Sequence, residues 1–123
     1  MKIKELTARE FLNYYSESYS SIFNISNQAV QSVYTSTTFR DKIFYVLLEN
    51  DTPQAFFSLR PVDKYISELG DVAKISKTFP RERLVVFLAQ VSSKHEKIIV
   101  GFPNFLALKM ELLSLDLQLF VVI

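Results

Sequence analysis

Residues 42–49 constrain this chain most. Ile43, Tyr45 and Leu47 would occupy one face of a strand and Phe44, Val46 and Leu48 the other, so both faces are apolar. A strand like that belongs in the middle of a sheet that is covered on both sides. The residues Asn50, Asp51, Thr52 and Pro53 then supply turn chemistry, and 54–60 read as the returning strand of a hairpin, stopped by Pro61.

Upstream of the hairpin, residues 2–6 form a short first strand. Thr7 followed by Glu10 makes a capping box, with Leu6 and Phe11 as its hydrophobic staple. Phe11, Leu12, Tyr15, Tyr19 and Ile22 recur at helical spacing, which predicts a helix to about Ile22 with Asn13, Ser16, Glu17 and Ser20 facing water. A second helix follows Ser26, with Ala29, Val30, Val33 and Tyr34 on one side. Residues 35–38 end it, because consecutive hydroxyl and β-branched side chains disfavour continuation. Beyond the hairpin, Gly70 precedes a shorter strand over 71–76. Residues 83–91 fit a helix with Leu84, Phe87, Leu88 and Val91 on one face, opened by Thr78 and Pro80. They also fit a buried strand, and the helix is preferred. Residues 97–102 read as a strand, Pro103 and Asn104 open a last helix, and 118–123 form a final strand. The order is β-α-α-β-β-β-α-β-α-β. It describes an α/β (α+β) domain in which helices flank one mostly antiparallel sheet, with right-handed crossovers where strands run parallel.

At 123 residues, 49% hydrophobic and with eleven Phe, the chain is one domain, 1–123, able to bury a real core. Fourteen basic and 13 acidic residues leave a net charge of +1, so bulk electrostatics make no case for nucleic acid. So little charge on a Phe-rich domain points instead to self-association, most simply as a homodimer. The absence of Cys excludes a disulfide scaffold, a thiol nucleophile and thiolate metal ligands, and fits a cytoplasmic setting. His95 is the only histidine, so no His-based metal cluster can form within one chain, and no Asp/Glu spacing suggests a carboxylate site. The opening Met-Lys-Ile-Lys-Glu-Leu lacks a signal-peptide core, and no apolar run approaches the roughly 20 residues needed to span a bilayer. A soluble domain with no membrane partner is expected.

The stretch Asn104-Phe-Leu-Ala107-Leu-Lys-Met-Glu111-Leu-Leu-Ser-Leu115-Asp116, with the opening strand and capping box and the hairpin, resembles the GNAT N-acetyltransferase superfamily over nearly the whole chain. In that family an Asn opens a helix, an Ala follows three places on, a Tyr four later, and Gly-Phe ends it. Asn104 and Ala107 are in step, but Glu111 stands where the family's Tyr protonates the leaving thiolate, and Leu115 and Asp116 replace Gly-Phe. The resemblance also implies a Gly-rich turn before the helix that follows the fourth strand, where backbone N–H groups and the helix N-terminus hold the pyrophosphate of acetyl-CoA. Here that stretch reads Ser76-Lys-Thr-Phe-Pro-Arg-Glu-Arg-Leu84. It has no Gly, and Pro80 removes a donor. Lys77, Arg81 and Arg83 could meet a phosphate by charge, a different device with looser geometry. A further strand of the family, after the sixth, has no counterpart in this sequence.

These departures favour a GNAT-like binding or regulatory module that needs no cofactor and is homodimeric. The alternative is an acyl-CoA N-acyltransferase with a non-standard loop, in which Lys77, Arg81, Arg83 and Asn104 would meet acetyl-CoA and Glu111 would take the Tyr position. A third reading makes Lys74, Lys77, Arg81 and Arg83 a nucleic-acid contact with Phe79 stacking on a base. Against it stands a solvated loop whose charge Asp71 and Glu82 balance. His95 reads as a residue of an exposed turn. Tyr15 and Tyr19 fall on the core stripe of the first helix, whereas Tyr14 falls off it and is the candidate for an exposed contact.

Overall fold

The computed structural model describes residues 1–34, 36–64, 66–92, 97–100 and 120–122. Among the described residues ten elements follow in order: β1 (Lys2–Thr7), α1 (Ala8–Ile22), α2 (Asn27–Tyr34), α3 (Thr37–Arg40), β2 (Ile43–Glu49), β3 (Thr52–Pro61), β4 (Ile66–Lys74), α4 (Arg81–Ser92), β5 (Lys97–Val100) and β6 (Phe120–Val122). The strands lie in the order β1-β2-β3-β4-β5-β6. Pairing is antiparallel from β1 to β4 and parallel from β4 through β6.

The capping box forms as read. The Thr7 hydroxyl accepts the Glu10 N–H at 3.2 Å, and the Thr7 N–H donates to the Glu10 carboxylate at 3.0 Å. Hydrogen bonds to the carboxylate from the Thr7 backbone N–H, the larger effect, and from the Thr7 side chain favour its ionised form and hold its pKa below the ordinary value. Leu6 and Phe11, the staple pair, are both buried. Asn50 and Asp51 turn the hairpin with φ of 50° and 61°, the doubly positive geometry that a two-residue loop needs to match strand twist.

Both sheet faces are covered. On one face Phe44, Val46 and Phe56 of the sheet meet Phe11 of α1 and Phe39 of α3, with the Phe11 and Phe44 rings stacked 4.0 Å apart. On the other face Tyr45, Leu47, Phe57 and Leu59 meet Phe87 and Leu88 of α4. Burying each large side chain stabilises the fold by roughly 1.5–3 kcal/mol, so β2 and β3, which feed both layers, hold the domain together.

Two expectations need correction. The strand expected over 71–76 instead spans Ile66–Lys74, with Gly70 inside it. A Cβ at Gly70 would stand 3.3 Å from Ser58 Oγ and 3.7 Å from Lys42 Nζ, so this glycine admits close neighbours and does not mark a strand start. Helix α2 does end at Tyr34, but the chain then makes another helical turn, α3, which delivers Phe39 to the core. Residues 83–91 are helical, as preferred, within α4. The expected helix opened by Asn104, together with Ala107 and Glu111, lies outside the described residues, as does His95.

Candidate functional site

Two places combine polar chemistry with defined geometry: the turn between β4 and α4, and a charged knot on β4. The turn is held by its own backbone. The register shifts between Leu47 and Leu48, leaving Gln54 bulged out of β3, and the Gln54 carbonyl accepts the N–H groups of Ile75 (2.8 Å) and Ser76 (3.0 Å). The Phe79 N–H donates to the Ser76 carbonyl at 3.2 Å, and the Lys74 ammonium donates to the Phe79 carbonyl, also at 3.2 Å. The Pro80 carbonyl takes the N–H groups of Arg83 and Leu84 in the first turn of α4.

Phe79 is 2% exposed and belongs to the core under α4, which corrects its reading as a stacking platform for a base. Arg83 lies over the Phe79 ring at 5.2 Å and pairs with Glu49 at the end of β2. Lys74, Lys77 and Arg81 are exposed near the same turn, with Glu82 beside them. Of the sequence candidates, Lys74 and Arg83 are therefore already engaged in holding the turn. Asn104 and Glu111 lie outside the described residues.

Asp71 does not balance that loop, as the sequence suggested. It sits at a bulge of β4, where Phe56 pairs with Ala73 but Ser58 with Gly70, and its φ is 50°. The carboxylate accepts three hydrogen bonds: from the Lys42 ammonium at 2.5 Å, the Ser58 hydroxyl at 2.8 Å and the Tyr19 hydroxyl at 3.0 Å. Lys42 and Asp71 side chains are 17% and 12% exposed, so the pair is largely shielded from water. Burial, and then the Asp71 charge, push the Tyr19 phenol well above its ordinary range and keep it a donor. Sequence reasoning missed this knot because Lys42 and Asp71 are 29 positions apart and meet only through register. Parallel pairing joins Ile66, Ser67 and Glu68 of β4 to Lys97, Ile98 and Ile99 of β5.

Tyr14 is 70% exposed and Tyr19 6%, as the helical stripe predicts. Among the described residues, no group of three or more His, Cys, Asp or Glu could hold a metal ion, and no helix is long and apolar enough to cross a membrane.

A mixed sheet whose first four strands are antiparallel, flanked by helices, is a GNAT-like fold. Solved structures share it. An integron cassette protein from the mobile metagenome of V. cholerae aligns over 96% of this chain and 85% of its own, with a TM-score of 0.58 and 14% identity. The aminoglycoside acetyltransferase meta-AAC0020, from an uncultured soil metagenomic sample, aligns over 92% and 84% in its trehalose complex, with a TM-score of 0.55 and 12% identity. Its sisomicin complex aligns over 94% and 82%, with a TM-score of 0.53 and 13% identity. No family model matches the chain, and no curated protein matches its sequence. Identities this low establish the fold and leave function to the site.

Proposed function

We propose that this GNAT-like domain is a binding or regulatory module without acetyl-CoA chemistry, acting as a homodimer and requiring no cofactor. The observation that carries the reading is the turn before α4. A pyrophosphate cradle needs free, converging N–H groups. Here the amides of Ile75, Ser76 and Phe79 are donated to the protein's own carbonyls, Pro80 has none, and the Phe79 ring is anchored in the core.

The second reading, an acyltransferase with a non-standard loop, draws its support from the basic side chains Lys77 and Arg81 beside the first turn of α4. Exposed Lys77 and Arg81 would then meet acetyl-CoA by charge alone. A melting experiment separates the two. Saturating a site at about 100 times its Kd stabilises the native state by about 2.7 kcal/mol, a rise on the order of 10 °C for a domain this size. Millimolar CoA or acetyl-CoA is expected to leave the melting temperature unchanged. A concentration-dependent rise restores the acyltransferase.

A further inference from the structure

Glu5 on β1 and Tyr45 on β2 are direct cross-strand partners, so their side chains emerge together on the sheet face that α4 covers. Near β1 this cover is incomplete. Ile3 is 39% exposed, and a cleft of about 390 Å³ opens between Ile3, Glu5, Tyr45, Gln90 and Val91. That volume falls within the roughly 300–1,000 Å³ of small-molecule sites.

Two features of the lining point to an occupant. Tyr45 is only 6% exposed, with its ring stacked on Phe57 at 5.3 Å, yet no hydrogen bond among the described residues engages its hydroxyl. Buried hydroxyls almost always have a partner, so this one is set up to take it from the cleft. The second feature is charge. Among the described residues no ion pair engages Glu5. Strand alternation turns Lys2 and Lys4 to the opposite face, where the Lys4 ammonium lies over the Tyr14 ring at 5.3 Å. Arg83, on the neighbouring flank of α4, is committed to Glu49. Burial and then the Glu5 charge push the Tyr45 phenol up to about 12, so it stays neutral and can accept as well as donate. The cleft thus combines an uncompensated carboxylate, a partnerless buried phenol and the apolar walls of Ile3 and Val91.

We propose that this cleft binds a small organic cation, a primary ammonium on an apolar body, with the ammonium held between Glu5 and the Tyr45 hydroxyl oxygen and the body against Ile3 and Val91. The proposal goes beyond the loss of acetyl-CoA chemistry and does not depend on the turn before α4.

The test is a nuclear magnetic resonance titration of the full chain with phenethylammonium, 2-phenylethanol and phenylacetate, which share a body and differ in charge. The expected result is saturable shifts at the Ile3 and Val91 methyls with the ammonium, much weaker shifts with the alcohol, and none with the acid. Glu5→Gln, at an exposed position, should weaken ammonium binding about tenfold, as expected for one charge-assisted contact. Tyr45→Phe keeps the ring stack and should weaken binding severalfold. No saturable shift with the ammonium, equal saturation by phenylacetate, or unchanged affinity in a folded Glu5→Gln variant would each overturn the proposal.

Discussion

Replacing Asp71 with Ala should be among the most damaging single changes in this domain. The substitution removes the acceptor of the Lys42 ammonium at 2.5 Å, the Ser58 hydroxyl at 2.8 Å and the Tyr19 hydroxyl at 3.0 Å. Breaking a buried ion pair from one side costs about 3–5 kcal/mol. Lys42 keeps 17% exposure and can reach some water, so the lower end applies. Each hydroxyl left without an acceptor adds about 1–3 kcal/mol, but Lys42 and Ser58 share one oxygen, so the terms do not sum fully. Ala must also adopt a φ of 50°, which Asp tolerates better. The net loss should be about 4–6 kcal/mol, a large share of the ~5–15 kcal/mol that holds a domain folded. Asp71→Asn keeps an acceptor oxygen and the tolerance for positive φ, and should lose about half as much. Urea denaturation reads both through the midpoint at constant slope. If Asp71→Ala unfolds within about 1 kcal/mol of the parent, the knot does not stabilise the bulge and the reasoning fails.

Thr7→Ala removes the hydroxyl that accepts the Glu10 N–H, one half of the capping box, and should cost about 1 kcal/mol, again read from the urea midpoint; no change would mean α1 gains nothing from that hydroxyl. Tyr19 and Tyr45 have folded-state pKa values raised by burial, Tyr45 to about 12. The folded state therefore holds these protons more tightly than the unfolded chain does. Their contribution is complete below pH ~10 and is lost as pH rises toward 12, so stability measured across that window should fall and Tyr45→Phe should flatten the decline. The exposed Met1, Ile3 and Val86 side chains and the low net charge favour self-association. Sedimentation at micromolar concentration should give about twice the 14.2 kDa monomer mass, and a monomer at every concentration would remove the homodimer.

Local chemistry made much of the fold legible. The capping box at Thr7 and Glu10, the two-faced apolar run of β2 and the Asn50-Asp51 turn each fix their neighbours without help from distant residues. What stayed illegible depends on register. Gly70 reads as punctuation in sequence, but it sits inside β4, where Ser58 of β3 and Lys42, just ahead of β2, approach it. Asp71 looks like a loop carboxylate until the bulge turns it onto Lys42. Phe79, flanked by basic residues, looks like an exposed platform, yet its neighbours in space are the core residues beneath α4. The Glu5–Tyr45 pairing depends in the same way on a register that neither strand specifies alone. Missing glycines, by contrast, are visible directly, and that is why the reading of the turn before α4 began in the sequence.

The most direct test of that reading is a two-dimensional amide spectrum of the labelled protein titrated with acetyl-CoA. The amides of Ile75, Ser76 and Phe79 are hydrogen-bonded within the protein, and the first turn of α4 beside them is where a pyrophosphate would bind. The account predicts that these signals and those of Arg81 and Glu82 stay in place up to millimolar acetyl-CoA. Saturable shifts at these amides, at micromolar concentration, would contradict it and assign the domain to acyl transfer.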